Sequence, residues 1–317
     1  MSGAPVIRRY TSVRSQRGAY VALGVLTLLW GTNWVAMKQA LTSAHPILFN
    51  IERTWVAIAV LFAVLLFQRR RFLPESWTAV AVTGLFQTVN MGSTTMAVAD
   101  TGAGRAAVLV FTMPFWTVLL AWPVLGERVR GLQWIAVVLA LIGLTLVVEP
   151  WQWHGELRPK AWAVLSGFGW ACGTIAMKHF QRARNFDLLN FIAWQMLLGV
   201  LPLCLLPLAL PLPQTSWSAT YVGLLLWTGA LASGLGFVLW VFVLRFLTAG
   251  TAALNMLAIP VIALLSSMMI FGERLSTSEW IGIGCIGAGL AVISLRAWLA
   301  SRRGEPLPPE PIPLEGG

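Results

Sequence analysis

Apolar runs close to twenty residues long recur about every 25 to 30 positions along this chain, each set off by a charged, proline or glycine break. About twenty apolar residues in a helix cover the hydrocarbon core of a bilayer. Within lipid only helices and closed barrels satisfy every backbone polar group. Ten spans can be drawn, at 19–39, 46–67, 77–98, 104–125, 131–149, 159–179, 187–210, 218–245, 250–271 and 277–299. The expected class is an all-α integral membrane protein of ten transmembrane helices. Composition agrees: 57% of the residues are hydrophobic and 11% charged, against about a quarter charged in soluble domains. The first run is too long for the apolar region of a cleaved leader. The last residues, RRGEPLPPEPIPLEGG, are polar and proline-rich, so 300–317 reads as a disordered tail.

The formal charge of +10 does not point to nucleic acid, because the basic residues sit in short connections rather than on one face of a domain. Membrane topology produces that distribution by itself. With a basic cytoplasmic N-terminus at 1–18, sixteen of the 22 lysines and arginines fall inside; Lys38, Arg105, Arg158, Lys160 and Arg274 fall outside, and Arg53 lies within a span. Both termini are then cytoplasmic, in the cell's inner membrane. The three cysteines, Cys172, Cys204 and Cys285, lie in apolar segments without metal-ligand spacing, so neither disulfides nor a metal are expected.

The chain also repeats itself. WGTNWVAMK, Trp30 to Lys38, returns as WACGTIAMK, Trp170 to Lys178. At an offset of 146, TGAGRAAVLVFTMP (Thr101 to Pro114) pairs with LTAGTAALNMLAIP (Leu247 to Pro260). Twelve residues after each proline comes a Gly-Glu-Arg, and Trp134 and Trp280 follow in register. One five-helix unit is used twice, at 19–149 and 159–299. Five is odd, so a first unit that begins inside obliges the second to begin outside. Two inverted repeats around a central cavity can exchange shapes, which is the mechanics of alternating access.

The paired units, the proline followed at twelve by Gly-Glu-Arg, the WG of the first span and the intramembrane Arg53 resemble the EamA family of the drug/metabolite transporter superfamily. The resemblance covers about residues 19 to 299. It implies ten helices around a central cavity and outward carriage of amino acids, other small metabolites or drugs. Bacterial exporters of aromatic and other neutral amino acids are the members this chain most resembles.

Polar groups within a span must find a partner or line a wet cavity. Gln87, Asn90 and Thr94 fall on one stripe of the third span, which should face the cavity. Asn33, Thr112, Gln195 and Asn255 are further candidates for substrate contact, each weighed against plain interhelical hydrogen bonding. Most membrane tryptophans belong to the interface belt, but Trp30, Trp116, Trp170 and Trp194 lie deeper. Trp30 and Trp170, as repeat mates, are expected to form two aromatic walls, a lining suited to a small amphipathic ligand. Arg53, about 10 Å into its span at 1.5 Å per residue, needs an acceptor: Glu52, awkwardly, since adjacent residues do not share a helix face, a carbonyl cluster, or a substrate carboxylate. The resemblance, in which an arginine is common at this place, implies a structural role at least as readily as binding. Pro114 and Pro260 are expected bends at matching places in both halves, gating hinges or static kinks. The Gly-Glu-Arg turns should close helices rather than bind substrate. Gly282, Gly284, Gly287 and Gly289 give the last span a surface for close packing, within the chain or across a homodimer.

The chain carries no GxxxxGK[ST] phosphate loop, so ATP does not drive it directly. No carboxylate is expected at mid-span, and no set of nucleophile, base or metal ligands suggests an enzyme. The expected function is secondary transport of a small molecule, amino acids first, through the lipid bilayer, without cofactor; broad drug efflux is the near alternative and a non-transporting scaffold the distant one.

Overall fold

Every regular element among the described residues is helical. The computed structural model describes residues 13–126, 131–148, 157–183, 186–246 and 258–303; the N-terminal residues 1–12, Asn255 and the tail from 304 lie outside them. In chain order the helices are α1 Val13–Ala40, α2 Pro46–Phe67, α3 Trp77–Thr101, α4 Ala103–Val110, α5 Met113–Leu125, α6 Leu132–Val148, α7 Leu157–Gln181, α8 Leu188–Ala209 and α9 Ala219–Leu225. A π-helical segment follows at Leu226–Leu235, then α10 Gly236–Phe246, α11 Ala258–Phe271 and α12 Thr277–Arg303. Short polar side chains start three of them, as helix N-termini favour: Ser76 caps α3, Asp187 caps α8 and Ser218 caps α9, while His45 and Pro46 open α2.

Among the described residues, five segments are long and apolar enough to cross a membrane: Gly18–Ala40, Pro46–Phe67, Ala103–Leu125, Leu188–Ala209 and Ala219–Val243. Trp134–Val147, Ala258–Phe271 and Thr277–Val292 are shorter apolar helices. α3 and α7, at 25 residues each, have the length but carry more polar residues, and they spend them on each other. The Asn90 amide donates to the Ser166 carbonyl and hydroxyl oxygens, both at 3.0 Å, and the Thr94 and Ser166 hydroxyls share a hydrogen at 2.6 Å.

Two of the expected spans are not continuous α-helix. The fourth breaks at Phe111–Thr112, because Pro114 in the first turn of α5 offers no N–H to the carbonyl of Val110. The eighth widens for ten residues into a π-helix, in which Ser233 Oγ bonds back to the Thr228 carbonyl five residues earlier. The Gly-Glu-Arg turns do close helices: Gly126 ends α5 at φ 70° and Gly272 follows α11 at φ 65°, conformations that favour glycine.

The connections sort to two ends of the bundle. At one end, Lys38 Nζ donates to the Ala99 carbonyl at 2.6 Å, Ser216 N–H donates to Ser43 and Ala103 N–H donates to Glu273. At the other, Arg70 pairs with Asp187 at 2.8 Å and the Asn190 amide donates to the carbonyls of Arg71 and Phe72. Between the ends, α3 lies on α7 and α8, α2 on α8 and the π segment, and α1 on α10, the π segment and α11. α6 packs along α12, where a Cβ on Gly282 would stand 2.7 Å from the Gly143 carbonyl and one on Gly289 would stand 2.9 Å from that of Ala136. Half of the expected glycine surface is thus used inside the chain; Gly284 and Gly287 meet nothing within 4 Å.

Candidate substrate site

The middle of the bundle holds two cavities that share Trp170 and Phe237 in their walls. The first, about 140 Å³, lies toward the Lys38 end and is walled by α1, α2, α3, α7, the π segment and the α4–α5 break. The second, about 110 Å³, is walled by α3, α7, α8 and α10. Both have mostly apolar linings with a few polar side chains, the make-up of a site for a small amphipathic molecule.

Trp30 is held on the wall of the first cavity by its indole N–H, which donates to the Ala232 carbonyl of the π segment at 2.8 Å. Its ring stands edge-on to Phe237 and tilted against Trp240, at 5.8 and 6.0 Å. Gly236 makes room for it, since a Cβ there would lie 2.6 Å from the indole nitrogen. The widened helix and the tryptophan therefore fix each other. π segments of this kind recur at functional sites.

Arg53 reaches the same cavity from α2 and is 5% exposed. Its Nε donates to Asn50 Oδ1 at 3.3 Å, its Nη1 points at the Met37 sulfur at 3.2 Å, and it lies over the Phe49 ring. Glu52 is no partner, for it turns away to accept from the hydroxyls of Thr215 and Tyr221. Among the described residues no carboxylate pairs with this guanidinium.

Of the expected site residues, the structure brings Trp30, Asn33, Asn90, Thr94 and Trp170 together with Arg53 around the first cavity. It places Gln87, Trp170 and Gln195 around the second. The Gln87–Asn90–Thr94 stripe does face inward, although Asn90 and Thr94 also bind Ser166. Three expectations differ. Thr112 and Trp116 line a separate, smaller space against α6 and hydrogen-bond each other at 3.3 Å; the break before them turns that face away from the centre. Trp194 donates to the Phe72 carbonyl at 2.7 Å and packs on Trp77, with ring centroids 4.9 Å apart, near the Arg70 end. It is adjacent to Gln195, and neighbours on a helix do not share a face, so only one of the two can look inward. Asn255 lies outside the described residues. Pro114 sits at the helix break, and Pro260 is buried in the first turn of α11.

Trp34, Met37, Phe111 and Phe237, none of them an expected site residue, also line the cavities. Nothing in their sequence surroundings separates them from lipid-facing apolar side chains. Ser166 had a weak signal, as a lone hydroxyl in an apolar stretch.

A helical membrane bundle with a central aromatic cavity defines a class, polytopic membrane transport proteins, and comparison with known proteins narrows it. The chain belongs to the EamA-like transporter family, which matches it twice, at residues 17–149 and 159–295. It is 25% identical to the uncharacterized transporter YoaV of Bacillus subtilis (strain 168), over 85% of this chain and 95% of that one. It is 26% identical to the probable amino-acid metabolite efflux pump of Escherichia coli (strain K12), over 85% and 93%, and 27% identical to that of Salmonella typhimurium, over 88% and 95%. One solved structure superposes on 91% of this chain and 99% of its own with a TM-score of 0.63 at 21% identity, a likeness in fold alone. The chain is thus a multi-pass membrane transporter rather than an enzyme; its family supplies a small-molecule substrate and a lipid bilayer as its partners.

Proposed function

We propose that this protein exports small amphipathic metabolites, amino acids foremost, across the cytoplasmic membrane by alternating access of two inverted five-helix halves, 19–149 and 159–299. The observation that carries the reading is the pair of cavities that share Trp170 and Phe237, because each is walled by helices of both halves. Relative movement of the halves then reshapes both chambers at once. The sorting of connections to two ends supports the inverted arrangement: α1 finishes at the Lys38 end, whereas α7 runs into the Asp187 connection at the other. The names of two relatives, probable amino-acid metabolite efflux pumps, support the substrate class. The basic connections favour a cytoplasmic position for both termini.

The two ends differ chemically, and the repeat makes the difference plain. At the Lys38 end, Arg105 of α4 pairs with Glu279 of α12, with Nη2 to Oε2 at 3.1 Å, and Arg105 also donates to the Arg274 carbonyl. Glu273 caps α4 through Ala103 N–H at 3.0 Å, favoured by the positive end of the helix dipole. At the repeat offset, Arg105 corresponds to Thr251 and Glu279 to Gln133. An ion pair across the halves at one end thus has an uncharged counterpart in sequence at the other. In this reading the Lys38 end is the extracellular gate, and Pro114 and Pro260 are the hinges on which the fourth and ninth spans bend.

Broad efflux of lipophilic cations draws on the same aromatic lining, but the unpaired positive charge of Arg53 in the wall opposes it. Counterflow of radiolabelled neutral amino acids in proteoliposomes tests the reading. Uptake is expected, falling in Trp170→Ala while the protein stays folded and monodisperse. Binding of lipophilic cations with no amino-acid uptake would refute it in favour of drug efflux.

A further inference from the structure

The first cavity contains hydrogen-bonding groups that the protein leaves unused, and their signs are arranged. Arg53 is a buried cation whose only acceptors are one amide oxygen and one thioether sulfur, the latter a weak acceptor. Beside it, Asn50 is fully buried and its Nδ2 has no hydrogen-bond partner. Both unused functions are donors; Arg53 lines the cavity, and Asn50 is packed beside it outside the lining. Burying donors without acceptors is costly, and a guanidinium offers its N–H groups in a fork that matches a carboxylate. The opposite deficit stands on α1: Asn33 Oδ1 is buried and accepts from nothing, while its Nδ2 points at the Met37 sulfur at 3.2 Å. That sulfur also receives Arg53 Nη1 at 3.2 Å. Asn33 and Arg53 are therefore held within two hydrogen-bond lengths of each other, on the wall of one cavity.

Resting on the transport reading above, we infer that Arg53, steadied by Asn50, holds the carboxylate of the substrate and Asn33 Oδ1 accepts from its ammonium, so that the cavity selects zwitterionic α-amino acids by their common head group. Carboxylate and ammonium are one carbon apart in such a molecule, which suits donors and an acceptor gathered about a single methionine sulfur. With the head group fixed there, the side chain of the substrate is left to Trp30, Trp170 and Phe237, whose apolar surfaces set no strict shape. Head-group selection with a tolerant side-chain pocket is the expected specificity.

The test uses the full-length protein in lipid nanodiscs and two ligand series, one built on L-phenylalanine and one on L-leucine. Each series contains the amino acid, its amide, the amine lacking the carboxylate, and the acid lacking the ammonium. Binding is followed by tryptophan fluorescence. The amino acid of at least one series is expected to bind tenfold or more tighter than its amide and amine. Arg53→Gln should reduce that ratio to near one, Arg53→Lys should keep part of it, and Asn33→Leu should remove only the preference for the ammonium. Equal binding of acid and amide, or no binding by any carboxylate ligand, overturns the inference. The wild-type series decides this even where Arg53→Gln does not yield folded protein. Efflux of the same amino acids from proteoliposomes is measured separately. Transport without carboxylate selectivity removes the role of Arg53 and leaves the transport reading, whereas carboxylate selectivity without transport does the reverse.

Discussion

Arg53 is positioned by a helix contact that one methyl group should break. The π segment presses Gly229 against α2, where an added Cβ would stand 2.7 Å from the Arg53 carbonyl oxygen, 2.8 Å from Val56 Cβ and 3.0 Å from Val56 Cγ1. Relaxed contacts are about 3.3 Å for carbon to carbonyl oxygen and about 3.5–4.0 Å between carbons. Gly229→Ala therefore forces the two helices apart by roughly 0.5–1 Å, and the displaced atom is backbone, which cannot rotate out of the way. Overpacking of this kind costs about 1–3 kcal/mol. Alanine also favours helix by about 1 kcal/mol relative to glycine, so the raw change understates the clash. Gly223, in the helix that feeds the π segment, has nothing within 4 Å of its virtual Cβ and supplies the control. The difference between Gly229→Ala and Gly223→Ala isolates the packing term. Thermal unfolding of both purified variants in one detergent measures it, with Gly229→Ala expected to unfold several degrees lower. The same variant should bind substrate more weakly, because Arg53 moves with its backbone. Unfolding of Gly229→Ala at or above the temperature of Gly223→Ala would refute the close-contact argument.

Two further predictions follow from the polar contacts. Asn90→Ala and Ser166→Ala remove the same α3–α7 network, so their losses of stability, of about 1 kcal/mol or less each in a membrane interior, should be less than additive in the double variant; strictly additive losses would mean that the hydrogen bonds between them carry no coupling. Glu279→Gln takes away the partner of Arg105 and should speed alkylation of an Asn33→Cys reporter by an impermeant thiol reagent from the Lys38 end, in a background with Cys172, Cys204 and Cys285 replaced by serine. An unchanged labelling rate would mean that the ion pair does not hold that end closed.

What the sequence discloses of this architecture is what is encoded locally. The helical class follows from runs of apolar residues matched to bilayer thickness, and α2, α8 and α11 end close to where the breaks in those runs place them. The stripe of Gln87, Asn90 and Thr94 was legible because helical spacing alone puts three polar residues on one face, and a polar face in lipid must turn inward. Trp30 and Trp170 were legible because the repeat names them twice. Pro114 marked its break through a missing donor, a property of the residue itself.

The remaining features required tertiary structure, for one physical reason. Lipid tails are as apolar as a protein interior, so hydropathy does not say which apolar side chain meets a cavity. Phe237 and Met37 line the site while Phe67 and Leu208 face outward, and no local pattern distinguishes them. Thr112, Trp116 and Trp194 have the depth of site residues but not the azimuth, which the break after Val110 and the packing of Trp194 on Phe72 and Trp77 decide. The π segment has no motif of its own; it exists with Trp30 bonded to Ala232 and with Gly229 and Gly234 against α2. By itself the sequence determined that helix-length apolar runs recur along a chain in which one family unit is matched twice, because run length and repetition are properties of a line of residues. Only the tertiary structure decided which side chains share a cavity and which of their hydrogen bonds are left for a ligand, because those depend on how each helix is rotated against its neighbours.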